Sequence, residues 1–171
     1  MKGAFKRVVA GMNIYMTETR GPGEIAFSRD GAGHVFPIHL QRGQSIIARE
    51  HQFLAATGNI EYTFSRVKGV GSMLFGSSGF FQDQFKATGD EDVVWLHGYG
   101  NVFEKTLGPG EQIDVEPGGW IYRDASVSMD IKVFGLKTGI FGGSGNLVFN
   151  RFTGPGRVGI QSMYVHLPTA D

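Results

Sequence analysis

Cysteine is absent from the 171 residues, which excludes disulfide staples, thiolate zinc sites, iron–sulfur clusters and cysteine nucleophiles. The core must therefore hold itself by packing. An excess of one charge is absent too: sixteen Lys and Arg balance sixteen Asp and Glu, so the basic surplus of a dedicated duplex-DNA binder is missing. Long apolar runs are lacking. At the N-terminus only Val8-Val9-Ala10 stand together before Gly11, too few for the core of a secretion signal. No stretch elsewhere approaches the roughly 18 residues of a membrane-spanning helix. These absences point to a soluble, cytoplasmic chain. What is plentiful is glycine, 27 residues without a Gly-X-Y period, together with 14 phenylalanines. Glycine normally makes up about 7% of a chain, so this composition reads as short strands joined by many tight turns.

Internal similarity is extensive. Leu40-Gln41-Arg42-Gly43-Gln44-Ser45-Ile46-Ile47-Ala48 resembles Leu107-Gly108-Pro109-Gly110-Glu111-Gln112-Ile113-Asp114-Val115, an offset of 67 from Gly43 to Gly110. The register continues with Phe53-Leu54 over Trp120-Ile121, Ile60 over Val127, Tyr62 over Met129 and Phe64 over Ile131. Leu74-Phe75-Gly76-Ser77-Ser78-Gly79 matches Ile140-Phe141-Gly142-Gly143-Ser144-Gly145, an offset of 66 from Gly76 to Gly142. At twice that distance, Asn13-Ile14-Tyr15-Met16 with Gly21-Pro22-Gly23 matches Asn146-Leu147-Val148-Phe149 with Gly154-Pro155-Gly156, an offset of 133 from Gly21 to Gly154. The middle copy, Thr88-Gly89-Asp90-Glu91-Asp92-Val93-Val94, lacks the Pro-Gly. The reading is one all-β domain over residues 1–171, holding two whole units of about 67 residues and part of a third.

Within the units the hydrophobic period is two. Val127, Met129, Ile131 and Val133 alternate with Ser126, Ser128, Asp130 and Lys132, as a half-buried strand requires. Gly-Pro-Gly at 21–23, 108–110 and 154–156 marks turns, proline fixing φ at one corner and glycine accepting positive φ at the next. Turn signals about every ten residues predict an antiparallel β-sandwich or barrel with little helix. The one helical expectation falls at the start, where Phe5, Val8 and Val9 have helical spacing and Lys2, Lys6 and Arg7 lie opposite. That turn would suit contact with an anionic membrane surface; a capping helix packed on the domain's end is the preferred reading. The incomplete last unit leaves a strand edge to be closed by a neighbouring subunit or, the preferred reading, by completing the first sheet within its own chain. Phe80, Phe81, Phe141 and Phe149 place aromatic surface near loops, which predicts a homo-oligomer.

Chemical motifs are sparse. His34 and His39 are an odd number apart, so one continuous strand would point them to opposite faces, and with His51, His97 and His166 they form no ligand pattern. Asp90-Glu91-Asp92 lacks the spaced oxygens of a calcium loop and reads as a solvated turn. Gly69-Val70-Gly71 and Gly142-Gly143-Ser144-Gly145 do not lead from a strand into a helix as a phosphate loop does. No nucleophile elbow, zincin motif or pair of acids at matched positions is found, so no catalytic residue, metal ligand or cofactor is assigned. One segment has binding character: Val93-Val94-Trp95-Leu96-His97-Gly98-Tyr99 puts Trp95, His97 and Tyr99 on one strand face, where three rings could stack a base or a sugar. Packing of that face on a facing sheet or subunit is the preferred alternative. Trp120-Ile121-Tyr122-Arg123 reads as the equivalent segment of the other unit.

The motifs Lys6-Arg7-Val8-Val9-Ala10-Gly11, Gly21-Pro22-Gly23-Glu24-Ile25-Ala26, Phe53-Leu54-Ala55, Leu74 to Phe81, Leu107-Gly108-Pro109-Gly110-Glu111 and Arg151 to Val158 occur in this order. As a set they resemble the family named for altered inheritance of mitochondria, whose domain is likened to the tryptophan RNA-binding attenuator protein. The resemblance implies a β-sandwich of pseudo-repeats assembled into symmetric oligomers. For mitochondrial relatives it implies a role in organising the inner membrane. It carries over no catalytic residue. The attenuator protein's rings of basic and aromatic side chains have no counterpart here beyond the N-terminal cluster, which argues against nucleic acid as the partner. The function expected is a non-enzymatic homo-oligomeric scaffold, with an RNA- or small-ligand-binding module as the alternative.

Overall fold

The structure, a computed structural model, describes residues 4–9, 12–29, 31–67, 80–135 and 146–163. Fourteen strands and no helix are found among them. A hairpin comes first, β1 (Ala4–Val9) with β2 (Met12–Thr17). Next are β3 (Gly33–Gln41), β4 (Ser45–Arg49), β5 (Phe53–Ala56), β6 (Ile60–Val67), β7 (Phe80–Ala87) and β8 (Glu91–Tyr99). The second half follows with β9 (Val102–Leu107), β10 (Gln112–Val115), β11 (Trp120–Asp124), β12 (Ser128–Gly135), β13 (Asn146–Thr153) and β14 (Gly156–Gln161).

Every described pairing is antiparallel, in the strand orders β1-β2, β3-β8-β5, β10-β13-β12 and β6-β7-β4-β11-β14-β9. The chain is all-β, as the alternation and turn spacing predict, with open sheets layered as in a sandwich and no barrel closure among the described residues. Two cores lie between layers. Ile38 and Leu40 of β3, Ile46 and Ala48 of β4, Phe85 of β7 and Val94 and Leu96 of β8 fill the first, with Phe53, Ile60 and Tyr62 at its margin. Leu107, Val115, Trp120, Val127, Phe152 and Val158 fill the second, with Ile113, Met129 and Ile160 around them.

The two halves pair their strands alike. Glu61, Lys86 and Ser45 stand in one row across β6, β7 and β4. Ser128, Thr153 and Gln112, each 67 positions later, stand in one row across β12, β13 and β10. Leu40 faces Asp92 and Leu107 faces Gly156. A register shift between Phe53 and Ala55 on β5 recurs between Trp120 and Tyr122 on β11. The turn into β4 keeps Gly43 at φ 84° and Gln44 accepting the Gln41 amide at 2.8 Å. The turn into β10 keeps Gly110 at φ 77° and Glu111 accepting the Gly108 amide at 2.9 Å. Both glycines occupy the left-handed region that a side chain would strain. The halves are joined through β4 and β11, with Tyr122 opposite Ala48 and Arg123 opposite Ile47.

One expectation is corrected. Residues Ala4–Val9 form a strand, so the N-terminal helix is not there, whether as a cap or as a membrane-facing turn. Hairpin pairing gives these residues backbone partners at once, while a two-turn helix has little to offset its nucleation cost, and Phe, Val and Val are strand formers. The hairpin is a sheet of its own, while the fragmentary last unit pairs within its own chain: β13 lies between β10 and β12, and β14 lies between β11 and β9 in the sheet that also holds β4, β6 and β7. The glycine clusters at 69–71 and 142–145, the motifs at 74–79 and 140–145, Phe141 and His166 lie outside the described residues, as does the Phe80 side chain. Phe81 and Phe149 are half-buried.

Candidate functional site

Strand β8 carries the three rings singled out in the sequence. Val94 and Leu96 face the first core, so Trp95, His97 and Tyr99 fall on the opposite face. That face is covered. His97 is 3% exposed and Tyr99 5%, their rings meeting edge to face at 4.8 Å, and Trp95 is half-buried. Segment 31–33 lies over them: a Cβ on Gly31 would come within 2.6 Å of the Tyr99 ring. The His97 amide donates to the Gln52 carbonyl at 2.8 Å, and the Tyr99 amide to Gln161 Oε1 at 3.0 Å. The strand thus brings the three side chains together without presenting an open platform of rings. Trp120 is not the counterpart of Trp95. By register it stands where Phe53 stands, wholly buried, its ring 5.6 Å from Phe152 as Phe53 lies 4.8 Å from Phe85.

Asp92 departs from the solvated-turn reading. Asp90 and Glu91 are exposed, but Asp92 is buried and accepts from the Gly89 amide at 2.7 Å and the Thr57 hydroxyl at 2.8 Å. It fastens the β7–β8 turn to the end of β5. His34 and His39 both lie exposed on β3. Among the described residues no group of three or more metal-ligating side chains converges.

The denser polar constellation lies where the halves meet, and sequence reading did not find it. Glu104 of β9, Tyr122 and Asp124 of β11 and Arg157 of β14 come from three neighbouring strands, so no spacing along the chain announces them. The Tyr122 hydroxyl donates to Glu104, and burial with that bond raises its pKa far above the ordinary phenol range. Arg157 donates to both Asp124 oxygens, at 3.1 Å from Nε and 3.0 Å from Nη2, while its amide donates at 2.8 Å. Bonding to Asp124 raises the Arg157 pKa, and its guanidinium carbon sits 6.0 Å from the Tyr122 ring centroid. Beside this cluster a groove of about 710 Å³ is lined by His39, Gln41, Gln44 and Glu91 from the first half and by Asp124, Ser126 and Arg157 from the second. Its Asp124 and Arg157 neutralise each other, so the groove presents a mixed polar wall.

The junction is apolar beneath. Ile121 and Tyr122 of the second half are members of the first core, and Val102 packs against it. Gly98 and Gly159 admit them: a Cβ on Gly98 would lie 2.5 Å from Val102 and 2.6 Å from Ile121, and one on Gly159 2.4 Å from the Tyr122 ring.

No helix among the described residues is long and apolar enough to cross a membrane. No curated protein matches the chain. The fold is similar to that of a Streptococcus pyogenes protein solved by X-ray crystallography, with a TM-score of 0.61 and 21% identity, over 79% of this chain and 56% of that one. The chain thus spans little more than half that protein's length. Residues 1–163 match the model of a family, and the chain belongs to it: the family described as mitochondrial biogenesis AIM24.

Proposed function

We propose that the protein is a non-enzymatic scaffold that associates with copies of itself through its sheets. The observation that carries this reading is the contrast between one filled junction and two open edges. Strand β4 is paired on its outer side by β11, while β10, which holds the same place in the second half, has no strand beyond it among the described residues. Likewise β11 is paired on both sides and β5 on one. Unpaired backbone edges are templates for another chain.

Light scattering tests this on the full chain. Between low and high micromolar concentration the native mass should be a multiple of 18.6 kDa. A monomer at high micromolar concentration would overturn the proposal.

A further inference from the structure

Among the described residues six strands form the outer edges of the three larger sheets: β3, β5, β6, β9, β10 and β12. Edges that must stay single are usually blunted by charge or proline. Strand β3 has Pro37, β6 has Glu61 and Arg66, β9 has Glu104 and Lys105, and β12 has Asp130 and Lys132. Strand β5, Phe53-Leu54-Ala55-Ala56, has neither. The single charge on β10, Asp114, is held by two bonds from Arg151, at 2.7 Å and 2.6 Å. With no charge on β5 and a single one on β10, against two each on β6, β9 and β12 and a proline in β3, the two least defended edges are the two left open by the filled junction.

The side chains beside those edges match it as well. At the filled junction, Tyr122 covers Phe36 with ring centroids 6.2 Å apart, and Val102 is tucked against the first core. Phe103 takes the place of Phe36 in the second half, since Phe36 faces Leu96 as Phe103 faces Ile160, and it is 57% exposed. Val35 takes the place of Val102 and is 45% exposed. Each is bare where its counterpart is covered by the other half.

We infer that β10 and Phe103 of one copy receive β5, Val35 and Leu54 of a second copy, repeating between chains the junction that β4 and β11 make within one. This rests on the self-associating reading above and names its surface. The register carries over from the internal ladder: Ala55 opposite Val115, Ala56 opposite Asp114 and Thr57 opposite Ile113, in place of Tyr122 opposite Ala48, Arg123 opposite Ile47 and Asp124 opposite Ile46. The contact is head to tail, so one copy uses both faces at once. Such an arrangement closes into a ring where the rotation permits and otherwise grows.

Two exposed substitutions test it on the full chain. Val35→Asp spoils the donor face and leaves the receiving face intact; Phe103→Asp does the reverse. Each variant alone, with the far-ultraviolet spectrum of the parent, should be monomeric where the parent is associated. Mixed in equal amounts they should give a dimer that grows no further, because only one sound junction remains. Cysteine-free background permits a check of register: Ala56→Cys mixed with Asp114→Cys should form an interchain disulfide under mild oxidation, and Ala56→Cys with Gln112→Cys should not. A parent that is itself monomeric overturns the scaffold reading and this surface together. A parent that associates while both variants stay associated, or a mixture that yields no dimer, overturns this surface alone.

Discussion

Asp83 on β7 is a carboxylate kept half out of water. Burial raises its pKa, and Glu50 adds to the rise, while the Tyr62 hydroxyl donating at 2.7 Å and the nearby His51 act in the opposite direction. The folded protein therefore holds this proton more tightly than the unfolded chain does. Its contribution to stability becomes more favourable as pH falls through the folded pKa, and the gain is complete only below the ordinary carboxylate range near about 4. Above the folded pKa the ionised group bears its full desolvation cost. Asp83→Asn keeps an acceptor for Tyr62 and removes the charge. It should be more stable than the parent toward urea at pH 8, with a margin that shrinks on acidification toward pH 4. A margin constant over that range would show that Asp83 is not the titrating group. The sequence gives no hint of this site, since Tyr62 and Asp83 are 21 positions apart and meet only across the β6–β7 pair.

At the scale of single strands, β11 has the greatest share in the architecture. It pairs with β4 on one side and β14 on the other and lends Ile121 and Tyr122 to the first core. Gly159 makes this possible, because any side chain there would meet the Tyr122 ring. Gly159→Ala should cost about 1–3 kcal/mol, the usual result of overfilling a packed site, read as a lower urea midpoint with an unchanged slope. An unchanged midpoint would mean that Tyr122 has room to move. Much of the element level was legible. Period-two runs located strands, and Gly43 and Gly110 marked turns whose positive φ values are 84° and 77°. The N-terminal strand was missed because Phe5, Val8 and Val9 satisfy helical spacing and strand propensity alike, and only the presence of β2 decides between them. The structure places Trp95, His97 and Tyr99 on the face of β8 opposite Val94 and Leu96. That the face is packed is the preferred sequence reading, but what packs on it could not be foreseen, because it is a segment more than 60 positions earlier.

For the molecule as a whole, the shared strand and the shared core make independent unfolding of the halves costly. Detaching the second half would expose Ile121, Tyr122 and Val102 together with the outer side of β4. Thermal unfolding should therefore be one transition, coincident by tryptophan fluorescence and far-ultraviolet signal, with calorimetric and van't Hoff enthalpies in agreement. Both tryptophans report on it, Trp95 from the first half and Trp120 from the second. Two resolved transitions would show that the junction is weaker than the packing across it implies.

By itself the sequence determined the fold class, the family and the positions of most turns, because hydrophobic period, glycine and proline act locally and leave their mark within a few residues. Which edges are filled, which are bare, and whether an aromatic face is open or covered were decided only by the tertiary structure. Those properties depend on which strands become neighbours, and β4 meets β11 across more than 70 positions of chain through backbone pairing, which any sequence of suitable alternation can make.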